Sequence, residues 1–157
     1  VKLELFANYF QFYLQDDDQA LGNLADAWTE DATQRLRIAV APGVVGVGTA
    51  RNDTVVAELE VTAVEPALNA ALWEHVVEAD LHCATGRIVI AGCTDYFPDA
   101  RRLNVDRGKY RVRVLYGAGT PGYDNAGDEL AYRIQLWPTV EAQPVAVVKQ
   151  GPIPWAG

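Results

Sequence analysis

The chain has 157 residues, half of them apolar and 22% charged, with 21 acidic against 13 basic side chains and a pI near 4.6. That balance excludes a disordered chain, and a net charge of −8 argues against direct binding of nucleic acid. No apolar run approaches the ~20 residues a membrane-crossing helix needs, and the length suits one domain, residues 1–157, with a core of its own.

Leu3 to Leu14 alternates and predicts a long first strand. It is apolar on both sides, with Leu3, Leu5, Ala7 and Tyr9 on one face and Phe6, Phe10, Phe12 and Leu14 on the other, so it is expected to be buried or to bridge two sheets. The opening residues lack a small-residue cleavage pattern and read as a strand, not a signal peptide. Gln15 to Leu24 is polar, carries Asp16-Asp17-Asp18 and Gly22, and predicts an exposed loop. Trp28-Thr29-Glu30-Asp31-Ala32 has the signals of a helix start. Thr29 is the N-cap candidate, two acids favour the first turn, and the short helix should end near Leu36. Seven acids against the single Lys2 fall within residues 1–34, so most of the excess charge sits in the first fifth of the chain.

Strand signals then dominate. Arg37 to Ala41, the Pro42-Gly43 turn and Val44 to Thr49 come first, followed by the Arg51-Asn52-Asp53 turn and the alternating run from Thr54. Glu65 to Ala71 fits a loop or one helical turn. From Leu72 to Tyr116 the pattern predicts consecutive antiparallel hairpins, turning at Thr85-Gly86 and at Arg107-Gly108. In that register Cys83 would pair with Ile88, Leu81 with Ile90, and Val105 with Tyr110. Parity places Val77, Leu81, Ile88, Ile90, Tyr110, Val112 and Val114 in the core, and Glu78, Asp80, Arg111 and Arg113 in solvent. If the acidic and basic faces are neighbours in one sheet, cross-strand charge pairing explains them. A loop at Asp95 to Ala100, another at Gly117 to Asp128, a strand from Leu130 to Trp137 and a short edge strand at Val145 to Lys149 complete the chain. In the Leu130 to Trp137 strand Arg133 and Gln135 should face out. The expected fold is all-β: a two-sheet, mainly antiparallel β-sandwich with one short helix.

Residues suited to chemistry are few. His75, His82, Cys83 and Cys93 are the soft metal ligands, but their spacing matches no common zinc site and neighbouring strand residues point to opposite faces, so no metal is expected. Neither Asp16-Asp17-Asp18 nor the acids around Asp124 to Glu129 follow a calcium loop. The glycines from Gly43 to Gly48 lie between strands without a P-loop lysine, and suit close strand packing better than phosphate binding. There is no serine, which rules out a serine triad. Cys83 should be buried and unreactive, and the two cysteines fall too far apart in the hairpin register to be bridged. Two free thiols point to a reducing, cytoplasmic compartment. No cofactor is expected, and the expectation is a protein that is not an enzyme.

Several motifs in order resemble the bacterial competence-nuclease inhibitor family, small acidic proteins that bind and block a DNA-entry nuclease. They are Tyr9-Phe10-Gln11-Phe12 with Asp16, Trp28-Thr29-Glu30-Asp31-Ala32, Arg51-Asn52-Asp53, Gly86-Arg87-Ile88-Val89-Ile90 and Gly108-Lys109-Tyr110, spanning roughly residues 3 to 116. The resemblance implies a non-enzymatic protein-binding module whose partner is a basic protein such as a nuclease. Charge complementarity selects Asp16, Asp17, Asp18, Asp26, Glu30 and Asp31, with Trp28 as an aromatic anchor. The alternative is that Trp28 packs under the helix while the acids only solubilise. A second class, a small-ligand or carbohydrate-binding sandwich, would use Tyr96, Phe97, Tyr123, Trp137 and Trp155 if their rings converge on one groove. A structural or oligomeric role would require an open sheet edge to be covered by a second chain.

Overall fold

A computed structural model describes residues 1–18, 24–117 and 132–153. Eleven strands are assigned among them: β1 (Lys2–Phe6), β2 (Gln11–Asp16), β3 (Ile38–Ala41), β4 (Val44–Gly48), β5 (Thr54–Val61), β6 (His75–Cys83), β7 (Arg87–Gly92), β8 (Arg101–Asn104), β9 (Gly108–Tyr116), β10 (Tyr132–Pro138) and β11 (Ala146–Lys149). They form a six-stranded sheet in the order β1-β5-β10-β9-β6-β11 and a five-stranded sheet in the order β3-β4-β2-β7-β8. All pairs are antiparallel except β5 with β10. The two-sheet β-sandwich expected from the alternation is therefore present.

The core lies between the sheets, where the apolar parity of each strand puts it. Val77, Leu81, Ile88, Ile90, Tyr110, Val112 and Val114 are all buried there. Phe12, Tyr116 and Tyr132 stack edge-to-face across it, an arrangement worth about 0.5–1.5 kcal/mol per pair beyond burial. Tyr132 and Tyr116 also carry hydroxyls, and both find partners. Tyr132 Oη accepts from Ala50 N–H at 3.0 Å, and Tyr116 Oη donates to the Arg37 carbonyl at 2.6 Å.

Two expected hairpins are corners between sheets. β6 and β9 belong to the six-stranded sheet, while β7 and β8 belong to the five-stranded one. Thr85-Gly86 and Arg107-Gly108 do turn the chain, with positive φ at both glycines, but each carries it across the core. Cys83 and Ile88 are not ladder partners; β6 pairs with β9 and β7 with β8. Alternation cannot separate the two topologies, because both bury the same faces. The corners sit side by side, with Val105 N–H donating to the Gly86 carbonyl at 2.9 Å.

The first strand is likewise two strands. It breaks at a tight turn over Asn8–Phe10 and passes from one sheet to the other, as its two apolar faces require. The hairpin through Pro42-Gly43 and the edge strand near the C-terminal tail form as expected.

The outer face of the six-stranded sheet corrects a further expectation. Its parity is right, and Glu78 and Asp80 lie opposite Arg113 and Arg111. Yet Arg111 is 2% exposed, Arg113 is 3% exposed, and Glu78 and Asp80 are half-buried instead of solvent-facing. Two connecting segments roof this face. Arg113 donates to Glu78, Glu65, Gln135 and the Pro66 carbonyl. Arg111 donates to Asp80 and to the carbonyls of Gln143 and Pro144. Gln135, expected outside, is buried within the same network and donates to Glu60 at 2.6 Å. Arginine suits this position because its planar fork can serve several oxygens at once.

Candidate functional site

The acidic stretch near the N-terminus splits into two kinds of residue. Asp16 belongs to β2 and is buried, contrary to the expected exposed loop. Its Oδ1 accepts from Thr85 N–H at 3.0 Å, from the Thr85 hydroxyl at 2.7 Å and from the Cys83 thiol at 3.4 Å. Burial pushes the Asp16 carboxyl up, but these hydrogen bonds together outweigh it and hold the group below the usual carboxylate range. Asp17 accepts from Arg87 and Arg102 at 2.9 and 3.1 Å, and those bonds hold it low as well. Both acids staple the end of β2 to the β6–β7 corner and to β7 and β8. Asp18 is exposed.

Asp26, Glu30 and Asp31 stay on the surface. They ride on a cover that residues 24–36 lay over the outer face of the five-stranded sheet, where Leu24 packs with Ala39 and Val44, and Trp28 and Tyr13 pack against them. Gly46 makes this possible: a Cβ there would meet Leu24 Cδ2 at 2.7 Å and Trp28 Cζ2 at 2.9 Å. The glycine-rich run thus serves close packing, and Trp28, the candidate aromatic anchor for a partner, is half-buried against the sheet. Thr29 caps the following turn, accepting from Ala32 N–H at 3.1 Å. The short helix Ala32–Leu36 is wide and π-type, and it ends with Arg37 in the left-handed region. Arg35 donates to both Asp31 oxygens at 2.6 and 2.9 Å, which lowers the Asp31 carboxyl.

Arg37 opens a second constellation that the sequence did not single out. It is fully buried beside His75 and Tyr116. Arg37 Nη2 donates to the Pro152 carbonyl at 3.1 Å, Nη1 lies 3.7 Å from Glu74, and the guanidinium sits 5.5 Å from the centre of the Tyr116 ring. His75 Nδ1 accepts from Gly151 N–H at 2.9 Å, so the proton is on Nε2, which donates to the Leu36 carbonyl at 2.9 Å. Burial pulls His75 down to about 4, and the nearby Arg37 charge adds to this against the opposing bond to Leu36. The imidazole is thus a neutral clasp between the C-terminal tail and the end of the short helix. A histidine on an apolar strand face was the available signal.

Of the aromatic residues proposed for a ligand groove, the three that are described do not gather. Tyr96 is exposed and Phe97 packs under Arg102 at 5.1 Å, both at the β7–β8 connection of the five-stranded sheet. Trp137 is buried on the other sheet, with Arg113 4.8 Å from its ring centre. Tyr123 and Trp155 lie outside the described residues. Both cysteines are free, Cys83 buried and Cys93 half-buried; burial and the hydrogen bond to Asp16 push the Cys83 thiol up to about 11. Among the described residues no helix is long and apolar enough to cross a membrane.

No protein-family model matches the chain, and no curated protein matches it. Two solved structures share the fold. One is ComJ, inhibitor of the DNA degrading activity of NucA, from Bacillus subtilis, with a TM-score of 0.65 and 19% identity over 88% of this chain and 96% of that chain. The other is described as crocagin biosynthetic gene J, with a TM-score of 0.58 and 14% identity over 89% of this chain and 96% of that chain. The chain thus resembles, distantly, the nuclease inhibitor whose motifs its own sequence suggested.

Proposed function

We propose that this protein is a non-enzymatic binding module that occupies the basic cleft of a protein partner, a DNA nuclease or an enzyme of similar charge, in a cytoplasmic setting. The observation that carries the reading is the fold correspondence with an inhibitor of DNA degradation over almost the whole of that inhibitor. The net charge of −8 supports it, because an acidic surface competes with DNA phosphates for a basic cleft and speeds encounter. The acids that could act are those whose side chains stand in solvent. Asp26, Glu30 and Asp31 stand exposed on the cover of the five-stranded sheet, with Asp18 exposed nearby in sequence. Asp16 and Asp17 serve the fold first, so they contribute through long-range field more than through contact.

The test is direct. A purified basic DNA nuclease degrades plasmid DNA with and without the protein, at low and at high salt. Protection that is strong at low salt and fades as salt screens the charges supports the reading. The paired reversal Asp26→Lys with Glu30→Lys should weaken protection by about tenfold or more. No protection and no binding at low salt would remove the proposal.

A further inference from the structure

Asn8, Tyr9 and Phe10 form the corner where the chain leaves β1 for β2. Tyr9 has φ +58° and ψ +29° and Phe10 has φ +60°. Two successive bulky residues in the left-handed region are unusual, because their Cβ atoms crowd the backbone; glycine or asparagine would sit there with less strain. The corner keeps this shape because several segments hold it. Tyr9 N–H donates to Asn52 Oδ1 at 2.7 Å and to Asn8 Oδ1 at 3.1 Å. Thr49 N–H donates to the Phe10 carbonyl at 2.8 Å, and the Cys93 thiol donates to the Asn8 carbonyl at 3.2 Å. Gly92 seats the turn, since a Cβ there would collide with the Phe6 carbonyl oxygen.

All this restraint presents one side chain. Tyr9 is 69% exposed, so its ring adds little to the core. The loops that clamp the corner carry Asp53, which lies 3.4 Å from Arg51, and Asp95, which accepts from Gly92 N–H at 2.8 Å; both remain exposed, and Tyr96, 72% exposed, follows Asp95 directly. Strain held in place by surrounding structure is a feature of binding sites, and a rigid tyrosine loses little freedom when a partner covers it. From this geometry we propose that Tyr9 is the preorganised anchor of the interface with the basic protein partner, flanked by Asp53 and Asp95, whose charge complements that partner. The inference rests on the reading given under the proposed function and adds to it a contact at this end of the sandwich.

The experiment uses the full chain and a purified basic DNA nuclease, with binding read by titration calorimetry and stability by thermal unfolding. Tyr9→Gly and Tyr9→Asn relieve the backbone, so each should raise the unfolding midpoint, by about 2–4 °C for Tyr9→Gly. Both should weaken binding by about 30-fold or more, while Tyr9→Phe stays within a few-fold of wild type. If wild type binds and the relieved variants bind equally well, the anchor is refuted while the inhibitor reading stands. If wild type does not bind, that reading fails and the anchor with it. If Tyr9 variants abolish instead a dimer seen by sedimentation, a second copy is the occupant and the proposal is overturned.

Discussion

Lowering the pH below neutrality should loosen the protein through a single side chain, His75. In the folded chain its imidazole is neutral, with Nε2 donating to Leu36 and Nδ1 accepting from Gly151. Protonation would remove that acceptor and place a second positive charge beside the buried Arg37, with Glu74 3.7 Å from Arg37 Nη1 as the nearby counter-charge. The folded value is about 4 against an ordinary 6.5. A base whose folded value is depressed binds its proton more readily when unfolded. Stability is therefore fully present above about pH 6.5 and is lost as pH falls towards 4. Between about pH 7.5 and pH 5 the linkage amounts to a loss of about 2 kcal/mol. Urea unfolding followed by tryptophan fluorescence, repeated across that range, measures it. His75→Gln removes the titrating group, should cost about 1–3 kcal/mol at pH 7.5 through the lost Gly151 contact, and should flatten the profile. A wild-type profile that is already flat, or a variant that keeps the full slope, would refute the assignment of a neutral clasp.

Other consequences are as direct. Asp16→Asn should destabilise the fold by about 1–3 kcal/mol. It should also remove part of the acid sensitivity below about pH 4, because a carboxyl held low contributes stability above its ordinary value and loses it as pH falls. Glu78→Ala leaves Arg111 and Arg113 buried without a shared carboxylate and should cost about 3–5 kcal/mol, read by urea midpoint. Gly151→Ala places a Cβ 2.7 Å from Arg37 Nη2 and 3.0 Å from His75 Cβ. It should cost about 1–3 kcal/mol, and protease should then cleave the tail sooner. Alkylation at about pH 8 should modify Cys93 well before Cys83, whose thiol is buried and pushed up to about 11; equal rates in the native protein would contradict its environment.

What the sequence made legible was side-chain parity, and parity is local. Val77, Leu81, Val112 and Val114 could be placed in the core because alternation alone decides which face is apolar. The same alternation was silent on whether Gly86 closed a hairpin or a corner, since the partner strand is chosen by contacts far along the chain. It was silent also on what roofs the outer faces. Arg113 looked like a solvated charge until Glu65 and the Pro66 carbonyl came down on it. Asp16 was misplaced for a related reason: a run of three aspartates suggests a loop, but the first of them is the last residue of β2 and meets Thr85, 69 residues away in sequence. The cover carrying Asp26 and Glu30 was partly visible, through Thr29 as a cap. Gly46, which lets the cover sit down, shows in the sequence as one of several glycines suited to close strand packing, with no sign of which segment packs on it.

The order in which the two sheets can be completed during synthesis follows from their strand order. Among the described residues, every strand of the five-stranded sheet ends by Asn104. In the six-stranded sheet β10 joins β5 to β9, so before residues 132–138 are made it exists as two separate two-stranded ribbons, β1 with β5 and β6 with β9. Isolated ribbons are barely stable in water and expose unpaired edges. A nascent chain therefore carries one finished sheet and two open ribbons until β10 slides between them. Non-local closure of that kind slows folding and lengthens the time in which chaperones or neighbouring chains can capture the free edges.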